Sequence, residues 1–346
     1  MARIGTQEPG CFHAEYPSET WVRTECQTVV PRVAPRASKA AAAAIGATGQ
    51  TAGDGNDYVI QGSGQITSTV GSFPQTINVT SEQSVGVPSF GNFGILGPNE
   101  YTLQINSNFN GKTAACRAGS LRCTVWQQFV YSPDYVEAGS AAVFMQYWLI
   151  NYGDVCPAGY IAGGRRDCFT NSDGMFIADE PITELANMKL SGTATAGGND
   201  TVTFIHGTEA TMVAAADNVL DLAQVWRQSE FNIVGDGGGS EAIFNDSSSV
   251  TVNIAITDGT SNLPSCLPNL GTTAESNNFT LGVCTATAGS TPSVEFTEFI
   301  GSPPSPPPPV PTVEISPVPT LGIWGLLGAA LMLGGVGYSV VRRQAA

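Results

Sequence analysis

Ala141–Asn151 reads AAVFMQYWLIN, and its alternation decides the fold. In an extended strand Val143, Met145, Tyr147 and Leu149 point to one face, and Phe144, Gln146 and Trp148 to the other. The first set is core. The second is not an ordinary solvent face, which would carry Thr, Ser or Lys. A primary amide between two aromatics lines ligand grooves: apolar walls with a few placed hydrogen-bonding groups. Two more stretches share the pattern. Thr124–Tyr131 (TVWQQFVY) puts Trp126 and Gln128 on one face, and Gln228–Val234 (QSEFNIV) turns Phe231 and Ile233 inward and Glu230 and Asn232 outward.

From Asp57 to about residue 300 the chain repeats this grammar. Short alternating or apolar runs (Tyr58–Gly62, Tyr101–Asn106, Met188–Thr193, Thr201–His206, Ser249–Thr257 and Ser293–Phe299 among them) are separated by Gly, Ser, Asn and Asp. Asn218–Arg227 alone has helical spacing, through Leu220, Ala223 and Trp226. So many strands with almost no helix must pack sheet on sheet, which predicts an all-β, two-sheet antiparallel sandwich or jelly roll over 57–300. Around it the reading places a cysteine-bracketed segment (1–28), a linker or pro-segment (29–56) and a Pro-rich stalk (301–319). A membrane helix (320–341) and a basic tail (342–346) complete the chain.

Only 12% of the 346 residues are charged and the net charge is −15. Apart from the Arg32/Arg36/Lys39 segment there is no basic cluster, so a nucleic-acid surface is excluded. The eight cysteines fall into local couples, Cys11/Cys26, Cys116/Cys123, Cys156/Cys168 and Cys266/Cys284. This predicts four disulfides in an oxidising compartment, with nearest-neighbour pairing expected among the connectivities that eight cysteines allow. With no Cys-x-x-Cys, and with His13 in the stapled loop and His206 at a strand end, no metal site or cofactor is expected. Met1–Gly10 has no apolar core to act as a leader, so an exported protein implies a leader missing from this start.

Between Ile315 and Val341 there is no charged residue, and Arg342 and Arg343 follow. At about 1.5 Å per residue such a helix spans a bilayer core, with the arginines at the cytoplasmic end. Val318, Pro319, Thr320, Leu321, Trp324 and Gly325, then the apolar run and the Arg pair, resemble the IPTL-CTERM class of bacterial sorting signals, relatives of PEP-CTERM tails. The resemblance covers less than a tenth of the chain. It implies an exosortase-type transpeptidase as partner and an exported product, membrane-anchored or at the cell surface.

A second resemblance spans roughly Trp126–Thr257. A Trp-x-x-Phe strand, an apolar strand with a central Gln (Phe144-Met145-Gln146) and a later Ser229-Glu230-Phe231-Asn232-Ile233-Val234 run are similar to eqolisin-type glutamic peptidases. That implies a concanavalin-like sandwich and acid endopeptidase activity. In this likeness Glu230 is the general acid/base and Gln146 the oxyanion donor, and Trp126, Gln128, Phe144, Trp148 and Asn232 line the substrate groove. The family's Trp after the Glu is Phe231 here, its second Glu is Gly235, and its Gly-Ile-Asp-Gly is absent. The alternative is a non-catalytic surface module that binds glycan or peptide on Trp126, Phe144 and Trp148. A structural surface protein is the third. Asp236-Gly-Gly-Gly-Ser240 reads as a hairpin turn.

Overall fold

The computed structural model describes residues 8–15, 20–32, 57–87, 94–164, 166–268 and 275–302, all within one unit, Met1–Pro304. Those residues form an all-β sandwich of antiparallel sheets, as the alternation predicts. The front sheet runs, in spatial order, Ile161–Ala162, Cys168–Asn171, Ser140–Ile150, Thr124–Ser132, Tyr101–Ser107, Gln228–Gly235, Tyr58–Gln61 and Ser265–Pro268. The back sheet has nine strands, with Asn199–His206, Met188–Thr193, Ser68–Ile77 and Ser249–Thr257 near its middle. A small third sheet (Ser276–Asn277, Ser240–Phe244, Glu82–Gly86, Gly97–Pro98) holds a parallel pair, between Ser240–Phe244 and Ser276–Asn277.

The core lies between front and back sheets. Val143, Met145, Tyr147 and Leu149 are buried there with Phe129, Tyr131, Phe231 and Ile233. Tyr131 stacks on Phe204 of the back sheet at 3.9 Å, and Phe231 meets Phe73 at 5.0 Å. The back sheet makes room for these rings by omitting side chains. A Cβ on Gly71 would lie 2.1 Å from the Phe231 ring, and one on Gly192 would lie 2.6 Å from Phe129. Adding a methyl group at either position therefore forces the sheets apart.

Four disulfides join Cys11–Cys26, Cys116–Cys123, Cys156–Cys168 and Cys266–Cys284, the nearest-neighbour pairing. They fit an oxidising compartment.

Several expectations are corrected. Among the described residues no helix is long and apolar enough to cross a membrane, so the expected membrane helix is not supported and the fold class of the described residues is the sandwich. The expected helix at 320–341, the stalk and the sorting residues lie outside the described residues. Gly10–Gln27 is not a loop: Gly10–Glu15 and Val22–Thr24 are strands, and they form one edge of the back sheet. His13 lies within the strand Gly10–Glu15 rather than in a loop, 2.7 Å from Glu209, while His206 does end a strand, 2.8 Å from Glu180. Asn218–Arg227 is not one helix but contains the 3-10 turn Leu222–Gln224, just after Asp217–Val219. Asp221, with φ of +54°, interrupts the helical path between them.

Candidate functional site

The outer face of the front sheet carries the predicted residues, and strand register places them in rows. Gln146 pairs with Asn171 on one side and Gln128 on the other; Gln128 pairs with Asn106, and Asn106 with Glu230. These polar side chains form a connected network. Trp148 Nε1 donates to Gln146 Oε1 at 2.7 Å and to Gln128 Oε1 at 3.1 Å. Gln128 Nε2 donates to Gln104 Oε1 at 2.8 Å and Asn106 Oδ1 at 2.9 Å. Asn106 Nδ2 reaches Glu230 Oε2 at 3.5 Å, and Gln146 Nε2 donates to Asn171 Oδ1 at 3.0 Å. Each amide is fixed at both ends, so the amide row is rigid.

The same register keeps Glu230 and Gln146 apart. They are three strands removed, about 14 Å at ~4.8 Å per strand, with Gln128 and Asn106 between them. A single water cannot touch both, and the structure does not assemble the expected dyad. Asn232 also leaves the face. Along this strand Tyr58–Gln61 pairs only with Gln228–Glu230, and beyond Glu230 side chains take over, with Asn277 Nδ2 donating to the Ile233 carbonyl at 3.0 Å. Asn232 Nδ2 there donates to Asp57 Oδ2 at 3.3 Å and Glu298 Oε1 at 2.9 Å.

What the structure does bring together is a groove of about 280 Å³. Trp126, Trp148, Phe144, Gln128 and Gln146 line it, five of the residues named from sequence. Trp148 stacks on Phe169 at 4.5 Å and tilts over Trp126 at 5.6 Å. Gln104, Tyr135, Arg32 and Asp236 also line it and are not apparent as site residues from the sequence. Asp236 opens the expected turn, in which Gly237, Gly238 and Gly239 all have positive φ. Ile95 bridges its backbone, so the turn is pinned at the groove's rim.

At this end the electrostatics change. Burial pushes the Asp236 carboxyl up to about 6, against the Arg32 guanidinium beside it. Burial likewise raises Glu82 and Glu100 to about 8, with neighbouring carboxylates adding to the effect. Among the described residues neither oxygen of Glu82 has a hydrogen-bond partner. Asp179 is raised to about 7 by burial and keeps a proton for Asp134, whose own carboxyl is lowered by that hydrogen bond. Among the described residues no group of His, Cys, Asp or Glu is arranged to hold a metal ion.

No family model matches this chain, and no curated protein matches it. Among solved structures, scytalidoglutamic peptidase with a peptide-based transition-state analogue is 16% identical. The match covers 69% of this chain and 96% of that one, at a TM-score of 0.27. A score of this size does not establish a shared fold.

Proposed function

We propose that this protein is an exported binding module that takes an extended peptide or glycan chain in the groove of its front sheet. The observation that carries the reading is the groove itself, with aromatic faces and placed amides on one rigid sheet. Phe144 and Trp148 line its wall with aromatic carbon, each largely packed by neighbours and only 2% and 5% exposed. Gln146 and Gln104 supply amides from strands two apart, with Gln128 on the strand between them. Export rests on the four disulfides. Calorimetric titration with neutral oligosaccharides and extended peptides tests the reading. Binding to the wild type that is lost in Phe144→Ala and Trp148→Ala supports it, and absence of binding across both ligand classes overturns it.

A second reading, peptide-bond hydrolysis at acidic pH, draws on one specific observation: a carboxyl with a raised pKa does face the groove, namely Asp236. Such a group can exchange a proton with water and a leaving amine near pH 6. Acid proteolysis assayed with pepstatin present separates the candidates. Loss of activity in Asp236→Asn with activity retained in Glu230→Gln selects Asp236. The reverse result restores Glu230, and no cleavage in the wild type removes the hydrolytic reading.

A further inference from the structure

One part of the groove is already filled, by the chain itself. After Gln27–Thr28 pairs with Asp173–Gly174 at the sheet edge, Val29–Arg32 runs over the front face. Val29 is 2% exposed and packs with Val130, Tyr135, Ala142 and Phe144. The Val30 carbonyl accepts from Tyr135 Oη at 2.8 Å. Arg32 then places its guanidinium over the Tyr135 ring, 3.7 Å from the centroid. Nη1 donates to Asp236 Oδ2 at 3.0 Å and Nη2 to the Asp134 carbonyl at 3.3 Å. Asp236 is held from behind by Ser132 Oγ at 3.2 Å.

Each element of this arrangement is what recognition of an arginine side chain requires. There is an aromatic face for the planar cation, a buried carboxylate for a charge-assisted bond and a backbone carbonyl for the remaining donors. An apolar floor accepts the side chain three residues earlier. The carboxylate side chain is 8% exposed and the guanidinium 32% exposed, so the receptor half is built into the sheet while its occupant sits at the mouth.

We propose that this end of the groove is a subsite for an arginine side chain of an extended peptide, and that Val29–Arg32 occupies it as an internal surrogate. The inference rests on the binding reading above and narrows the ligand from peptide or glycan to a peptide with an apolar residue three positions before an arginine. Lysine fits less well, because a point charge neither stacks on Tyr135 nor bridges two acceptors in one plane. Ligand and Arg32 compete, so removing the Arg32 side chain raises affinity.

The test uses the full chain at pH 7.5, as wild type and as Arg32→Gln, titrated with acetyl-Val-Val-Pro-Arg-amide. A peptide with citrulline in place of arginine keeps the shape and removes the charge, and a neutral oligosaccharide is the third probe. Arg32→Gln should bind the arginine peptide at least about tenfold more tightly than it binds the citrulline peptide, and about tenfold more tightly than wild type binds the arginine peptide. Adding Asp236→Asn should erase the preference for arginine. If that variant does not fold, Tyr135→Leu on the Arg32→Gln background should reduce the preference by removing the stacking face. Equal affinity for arginine and citrulline peptides, or equal affinity of wild type and Arg32→Gln, overturns the inference. Binding of the oligosaccharide alone overturns it and leaves the groove reading intact, whereas no binding of any probe overturns both.

Discussion

Two polar regions meet at the groove, and they are built on opposite terms. The amide row, Asn171 through Gln146 and Gln128 to Asn106, is neutral and interlinked by hydrogen bonds. The carboxyl region gathers five acids, Glu82, Glu100, Asp134, Asp179 and Asp236, of which Glu100 and Asp236 feel the Arg32 charge, and among the described residues neither Glu82 oxygen has a hydrogen-bond partner. The first region is insensitive to pH and specifies geometry. The second is stable only when it carries protons or an opposite charge, which makes it the part that responds to acidity and to a cationic ligand.

The largest effect that distinguishes them is the dependence of stability on pH. Glu82 and Glu100 have folded pKa values of about 8 against an ordinary 4.5. Below the ordinary value both folded and unfolded chains hold these protons and nothing is lost. As pH rises from there to about 8 the unfolded chain releases protons that the folded chain keeps, so stability falls. For buried Glu82 the loss is on the order of a few kcal/mol across that window. The melting temperature should therefore decline from pH 5 to pH 8, and Glu82→Gln should flatten the decline. A profile that is flat or rises in the wild type contradicts the assignment.

The amide row should give a smaller and pH-independent effect. Gln128→Leu removes the donor to Asn106 Oδ1 and the shorter of two donors to Gln104 Oε1, at a cost of about 1–3 kcal/mol. Chemical denaturation at pH 5 and pH 8 should give the same difference from wild type at both. A difference that varies with pH would mean that the two regions are one coupled network. The smallest effect expected is for Gln146→Ala, about 1 kcal/mol or less, because Trp148 keeps its bond to Gln128. A larger loss by the same method would show that Gln146 carries more of the row than its contacts indicate.

Much of the fold could be read in the sequence because its causes are local. Alternation in Ala141–Asn151 determines which side chains meet the core, and the four cysteine couples lie close along the chain. The same alternation correctly puts Gln146, Gln128 and Glu230 on one face. It carries no information on lateral distance, which depends on strand order. Tyr101–Ser107 inserts between Thr124–Ser132 and Gln228–Gly235, and nothing in either neighbouring strand announces it. Arg32 and Asp236 were illegible for a related reason. One lies in a Pro- and Ala-rich stretch without period, the other at the head of a glycine turn, and only tertiary packing brings them within 3.0 Å. Asn232 was misplaced because the strand beside it stops at Glu230, an ending set by pairing rather than by the composition of Gln228–Val234.

The account's central claim is that ligands bind on the outer face of the front sheet and leave the inter-sheet core undisturbed. Trp148 lines the groove, and Trp226 is fully buried against Phe129 between the sheets, so their indole N–H resonances report on the two places separately. Under titration with a bound peptide or oligosaccharide, the Trp148 resonance should shift progressively while that of Trp226 stays fixed. A shift of Trp226 with Trp148 unmoved would place binding elsewhere and contradict the claim.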